Sequence, residues 1–87
     1  MIIIKNFINF NQIRNLFPMN NQQIGKIIQE RRVYLNLTQK DVAEMAAITF
    51  KSISEIELGI RNPTLNTLKS VLDVLGLELI VQIKFMN

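Results

Sequence analysis

The chain has 87 residues, ten Lys or Arg against seven Asp or Glu, a formal net charge of +3 and 48% apolar residues. One small domain is the expectation, and chains this short often complete their core by dimerising. Cys and His are both absent, which excludes a disulfide scaffold, a zinc site on the usual ligands, and the two commonest residues of nucleophilic and acid–base catalysis.

Residues 1–19 hold Lys5 and Arg14 but no acid. The apolar run Met1-Ile2-Ile3-Ile4 precedes Lys5 instead of following a charge, and no small-residue cleavage site comes after it, unlike a targeting segment. No stretch approaches the ~20 apolar residues of a membrane span, so a soluble, cytoplasmic protein is expected. Two readings of this segment stay open: an extension ahead of a start at Met19, or a short strand near Ile2–Ile8 that packs on the domain or on a partner.

From Asn20 the helix signals are clear. Asn20 and Gln23 form an N-cap and its N3 partner, and Ile24, Ile27, Ile28, Arg31 and Leu35 then share one helical face. Asn36 suits a left-handed stop. Thr38 and Asp41 repeat the capping pattern ahead of Val42, Ala43, Met45 and Ala46. After a tight connection at Ala47-Ile48, Thr49 caps a third helix with Ile53 and Ile56 facing inward, and Gly59 ends it. Asn62-Pro63-Thr64 makes a turn and cap. Leu65, Leu68, Leu72 and Leu75 then mark a fourth helix up to Gly76. In the tail, Leu77, Leu79, Val81, Ile83 and Phe85 alternate with other residues, which is the period of a strand. A lone strand has two unpaired edges. Its candidate partners are the same strand of a second subunit, the Ile-rich N-terminal segment or another protein, and two-fold pairing across a dimer is the simplest closed solution.

Thr38–Ala46 and Thr49–Leu58 are two short helices joined by a tight turn, a helix-turn-helix. Such a unit sets its first helix across the DNA backbone and its second in the major groove. The stretches Glu30-Arg31-Arg32, Leu37-Thr38-Gln39, Val42-Ala43, Ile53-Ser54, Ile56-Glu57, Gly59 and Asn62-Pro63-Thr64-Leu65 with Thr67-Leu68 resemble the Xre/Cro–repressor helix-turn-helix family. The run Leu75-Gly76-Leu77-Glu78-Leu79 leading into Ile80–Phe85 is similar to the HipB-like antitoxins within it. The resemblance implies a mainly α fold: a four- to five-helix repressor-type domain over residues 20–76, after a leader or short strand (1–19) and before a dimerisation strand (77–87).

The resemblance also implies roles for residues. Gln39 matches a position whose amide grips a DNA phosphate, and Thr38 starts that helix. Lys40 is a weaker phosphate candidate. Phe50, Lys51, Ser52 and Glu55, with Thr49 at their start, match the face that enters the major groove. Lys51 suits guanine or a phosphate, Glu55 a cytosine amino group and Phe50 a thymine methyl. Solvation for Lys51 and packing on the domain for Phe50 are the plainer alternatives. Arg61 and Asn62 match backbone-contacting positions, and Arg32 and Glu57 match a structural ion pair. Ala47 stands where the family usually carries Gly. Over residues 47–63, Lys51 and Arg61 balance Glu55 and Glu57, so this face is not locally basic.

The expectation is therefore a homodimeric, sequence-specific repressor of double-stranded operator DNA that uses no cofactor and no metal. By resemblance it is the antitoxin of a HipA-like kinase toxin and represses its own operon. The rival readings are a stand-alone phage-type or metabolic repressor, and a protein-interaction adaptor that does not read DNA. An enzyme is not expected, because the sequence offers no Gly-rich phosphate loop and no nucleophile–base set.

Overall fold

The computed structural model describes residues 2–5 and 19–81. Their elements, in order, are β1 (Ile2–Lys5), α1 (Asn21–Tyr34), α2 (Gln39–Ala46), α3 (Phe50–Leu58), α4 (Leu65–Val74) and β2 (Glu78–Val81). Among the described residues, no helix is long and apolar enough to cross a membrane.

Each helix begins where a short polar side chain accepts a backbone N–H that the helix itself leaves unpaired. Asn20 Oδ1 accepts from Gln23 N and Gln23 Oε1 from Asn20 N, both at 2.9 Å. Thr38 and Asp41 close the same reciprocal box at 3.0 and 2.9 Å. The Thr38 backbone N–H, and then its hydroxyl, hold the Asp41 carboxyl below its ordinary pKa. Thr49 and Thr64 cap α3 and α4 through Ser52 N and Thr67 N. Left-handed residues follow the first three helices: Asn36 (φ 59°), Ala47 (φ 57°) and Gly59 (φ 75°). Asn and Gly accept this conformation easily, whereas for Ala it costs roughly 1 kcal/mol or more.

The core is one cluster drawn from all four helices and the start of the tail. Ile27 and Ile28 of α1 meet Val42, Ala43 and Ala46 of α2, Ile53 and Ile56 of α3, and Leu68, Val71 and Leu72 of α4, with Leu75 and Leu77 closing one end. Two expected core positions lie outside it. Met45 is 60% exposed and Leu65 is 57% exposed. The stripe Val42, Ala43, Ala46 leaves Met45 on the far side of α2, and Leu65 is the first residue of α4, beyond the end of the core. Ile24 and Leu35 are half-buried at its rim. Val71 is fully buried, a position the Leu spacing alone passed over.

Gly25 sets the spacing of α1 and α3. A Cβ there would collide with the carbonyl oxygen of Ile56 and lie 2.7 Å from that of Glu57. Only the missing side chain lets the two backbones come this close, and that contact fixes the height of α3 on the domain.

β2 pairs antiparallel with β1 of the same chain, in the register Ile2↔Val81, Ile3↔Ile80, Ile4↔Leu79 and Lys5↔Glu78. One edge of the tail strand is thus taken by the Ile-rich N-terminal segment, one of its three candidate partners. The physical reason is proximity: a β-branched segment in the same molecule needs no association step. Nothing among the described residues pairs with the other edge of β2. Leu77 is buried and Leu79 half-buried, but Val81 is 73% exposed, so the alternating stripe runs off the core. Ile83 and Phe85 lie outside the described residues.

Candidate nucleic-acid interface

α3 buries Ile53, Ile56 and Glu57. The helical period therefore turns Lys51, Glu55 and Leu58 away from the core, whereas Phe50 starts the helix on the side of Ile53 and Glu57. Phe50 is 57% exposed and lies outside the core cluster. Lys51 is exposed, and it lies four residues before Glu55, which puts both on one face. Thr49 accepts from Ser52 N, and its hydroxyl donates to Ser52 Oγ at 2.9 Å. Ser52 thus keeps its own hydroxyl proton for an outside acceptor.

A buried carboxylate joins this helix to its neighbours. Arg32 of α1 donates from Nε to Glu57 Oε2 at 2.7 Å and from Nη2 to Oε1 at 3.0 Å. Its Nη1 donates to the Leu37 carbonyl at 2.9 Å, in the turn before α2. The Arg32 and Glu57 side chains are only 13% and 3% exposed. Their hydrogen bond raises the pKa of Arg32 beyond its ordinary value, so the guanidinium stays charged. Gln39, the first residue of α2, donates from Nε2 to Glu57 Oε1 at 3.0 Å. Glu57 therefore holds the α1 end, the α1–α2 turn and the α2 start to the recognition helix.

This link constrains Gln39. A carboxylate only accepts, so the amide nitrogen must face Glu57. One N–H of Gln39 is used there and the other remains available. Thr38 and Lys40 beside it are exposed, and the first N–H groups of α2 have no helical partner, an arrangement that suits a phosphate.

The surface beyond α3 departs from the sequence reading. Arg61, expected on the DNA backbone, is drawn onto Glu55, donating to Oε1 from Nη2 at 3.0 Å and from Nε at 3.3 Å. No spacing rule predicts this contact, because the five intervening positions include a helix end and a left-handed turn. Asn62 is exposed next to it. Both acids of the 47–63 window are thus neutralised by arginines, Glu57 by Arg32 and Glu55 by Arg61. The face that looked electrically balanced in sequence carries Lys51 on top of two closed ion pairs.

Among the described residues no group of three or more acidic side chains is placed to hold a metal ion.

Residues 28–81 match the helix-turn-helix family. Among solved structures, the chain is similar to the clp gene regulator ClgR from Corynebacterium glutamicum, with a TM-score of 0.64 and 25% identity. The likeness covers 68% of this chain and 63% of that one. No curated protein matches the sequence.

Proposed function

The chain belongs to the helix-turn-helix family, of the Xre/Cro type, and from that premise we propose that it is a DNA-binding transcriptional regulator acting as a dimeric, sequence-specific repressor. The observation that carries this reading is the joining of the α2 start and the outward face of α3 through one buried group. Glu57 ties the Gln39 amide at the start of α2 to the helix that exposes Phe50 and Lys51 and carries the half-buried Glu55 on its outward face. Gln39 with the α2 N-terminus holds a phosphate, while α3 lies in the major groove. Thr49 and Ser52 sit at the groove end of α3, and Lys40 and Asn62 add backbone contacts.

Two copies bind a palindromic operator, with their recognition helices about 34 Å apart. Two surfaces suit self-association. One is the open edge of β2, which can pair with its counterpart in a second copy. The other is the apolar surface around the α3–α4 connection, where Leu58, Ile60 and Leu65 are all more than half exposed.

The finer role we propose is that of an antitoxin, repressing its own operon and binding a HipA-like kinase toxin. It rests on the resemblance of Leu75–Leu79 and the strand after it to HipB-like proteins. The likeness to a clp gene regulator favours instead a stand-alone regulator. Mass spectrometry of proteins co-purifying with the tagged chain from its native host separates the two: a stoichiometric kinase supports the antitoxin, and recovery of the chain alone with DNA binding intact supports the stand-alone regulator.

The DNA-binding surface is tested by gel-shift titration with a duplex selected from a random-sequence library. The Gln39→Ala, Lys51→Ala double variant should bind at least tenfold more weakly than wild type. Equal binding would remove the assigned surface.

A further inference from the structure

We infer that Glu55 and Arg61 form one base-reading unit: Glu55 accepts a hydrogen bond from a cytosine amino group, and Arg61 is the positioning residue that aims it. This rests on the DNA-binding reading above and adds to it a residue that works through another, Arg61 through Glu55. Both Arg61 donors converge on the same oxygen, Oε1, at 3.0 and 3.3 Å. Among the described residues, Glu55 Oε2 accepts no hydrogen bond. The carboxylate is therefore held at one oxygen and offered at the other.

Glu55 is well placed for this. It shares the outward face of α3 with Lys51, opposite the buried Ile53, Ile56 and Glu57. Its side chain is 26% exposed, enough to be reached and too little to wander. The backbone helps to bring Arg61 back: Ile60 N donates to the Glu55 carbonyl at 3.1 Å, so the chain folds over the end of α3 just before Arg61.

The chemistry selects the base. A carboxylate can only accept. In the major groove, cytosine shows an amino donor without a neighbouring acceptor of its own. Adenine shows its amino group beside the N7 acceptor, guanine shows two acceptors, and thymine an acceptor and a methyl group. Cytosine alone meets a bare carboxylate oxygen without setting an acceptor against it. Arg61 also answers the objection that a carboxylate is repelled by phosphates, since it cancels the charge at 3.0 Å. Guanidinium has five N–H donors and Glu55 takes two. The remainder can reach a neighbouring phosphate, which would chain base, Glu55, Arg61 and backbone together.

The test is selection from a random-sequence duplex library with wild type, Glu55→Gln and Arg61→Gln, each first shown to be folded by circular dichroism. Wild type should select a C·G pair at one position of each half-site, by about tenfold over other pairs. Glu55→Gln should switch that position towards adenine, whose amino group and N7 fit an amide. Arg61→Gln should flatten the preference at that position and leave the others unchanged. If Arg61→Gln weakens all duplexes equally with the preference intact, Arg61 is a backbone contact only and the unit is refuted. If Glu55→Gln leaves the selected sequence unchanged, Glu55 does not read a base. Failure of wild type to bind any duplex would overturn the DNA-binding reading itself, and this inference with it.

Discussion

Replacing Arg32 with Met should cost this domain a large part of its stability. The side chain of Glu57 is 3% exposed, and Arg32 provides two of the three hydrogen bonds it accepts. Without Arg32, Oε2 has no partner, Oε1 keeps only Gln39, and the Leu37 carbonyl loses its donor as well. Breaking a buried pair by removing one member typically costs about 3–5 kcal/mol, because a charge is left stranded in the interior. Stability of roughly 0.05–0.15 kcal/mol per residue implies roughly 4–13 kcal/mol for 87 residues. The variant should therefore melt at least about 12 °C lower, at about 4–8 °C per kcal/mol for a domain of this size. Urea and thermal unfolding followed by circular dichroism measure the loss. Arg32→Met combined with Glu57→Met removes both charges, and should recover most of it, since apolar residues of similar volume replace buried pairs at little cost. A single variant within about 1 kcal/mol of wild type, or a double variant as weak as the single, would refute the argument that Glu57 is buried and held by Arg32.

Three further changes probe the frame around the interface. Ala47→Gly should stabilise the domain by about 0.5–1 kcal/mol in urea unfolding, the relief of a left-handed Ala less the added freedom of Gly when unfolded; no gain would mean that Ala47 is not strained. Gly25→Ala should destabilise by roughly 2 kcal/mol or more despite the better helix propensity of Ala, because the new methyl meets backbone carbonyls that cannot turn aside. A neutral result there would show that α1 and α3 are not this close. For Asp41, the cap holds the folded pKa below its ordinary value, so its stabilisation is present at neutral pH and is lost as pH falls through the folded value, below about 4. The stability advantage of wild type over Asp41→Asn should shrink over that range, and an advantage constant from neutral pH to about pH 2 would contradict the assignment.

Much of the frame was legible because local chemistry dictates it. Asn20, Thr38, Thr49 and Thr64 announce helix starts since each offers an acceptor ahead of an apolar period, and Asn36 and Gly59 announce ends since they tolerate positive φ. The ion pair of Arg32 and Glu57 came from family resemblance, as two charges 25 residues apart carry no spacing rule. What stayed hidden depends on how elements meet. Gly25 looks like a weak point in a helix until α3 is laid against it. Met45 and Leu65 look like core until the direction of each helix is known. The partner of β2 required knowing that Ile2–Lys5 returns to the end of the chain. Within the interface, Thr49 could be placed by its capping chemistry and Lys51 by the helical period, while the exposure of Phe50 could not. The contacts of Gln39 with Glu57 and of Arg61 with Glu55 could not, and they change what those side chains can offer to DNA.

The most direct test of the account is the affinity of the wild-type chain for a selected duplex, measured by fluorescence anisotropy across a range of salt concentration. A protein that sets Lys51, Lys40 and the start of α2 against phosphates displaces counterions on binding, so log K should fall linearly and steeply with log salt. Affinity that does not change with salt, or no binding to any duplex at low salt, would contradict the claim that these helices read DNA.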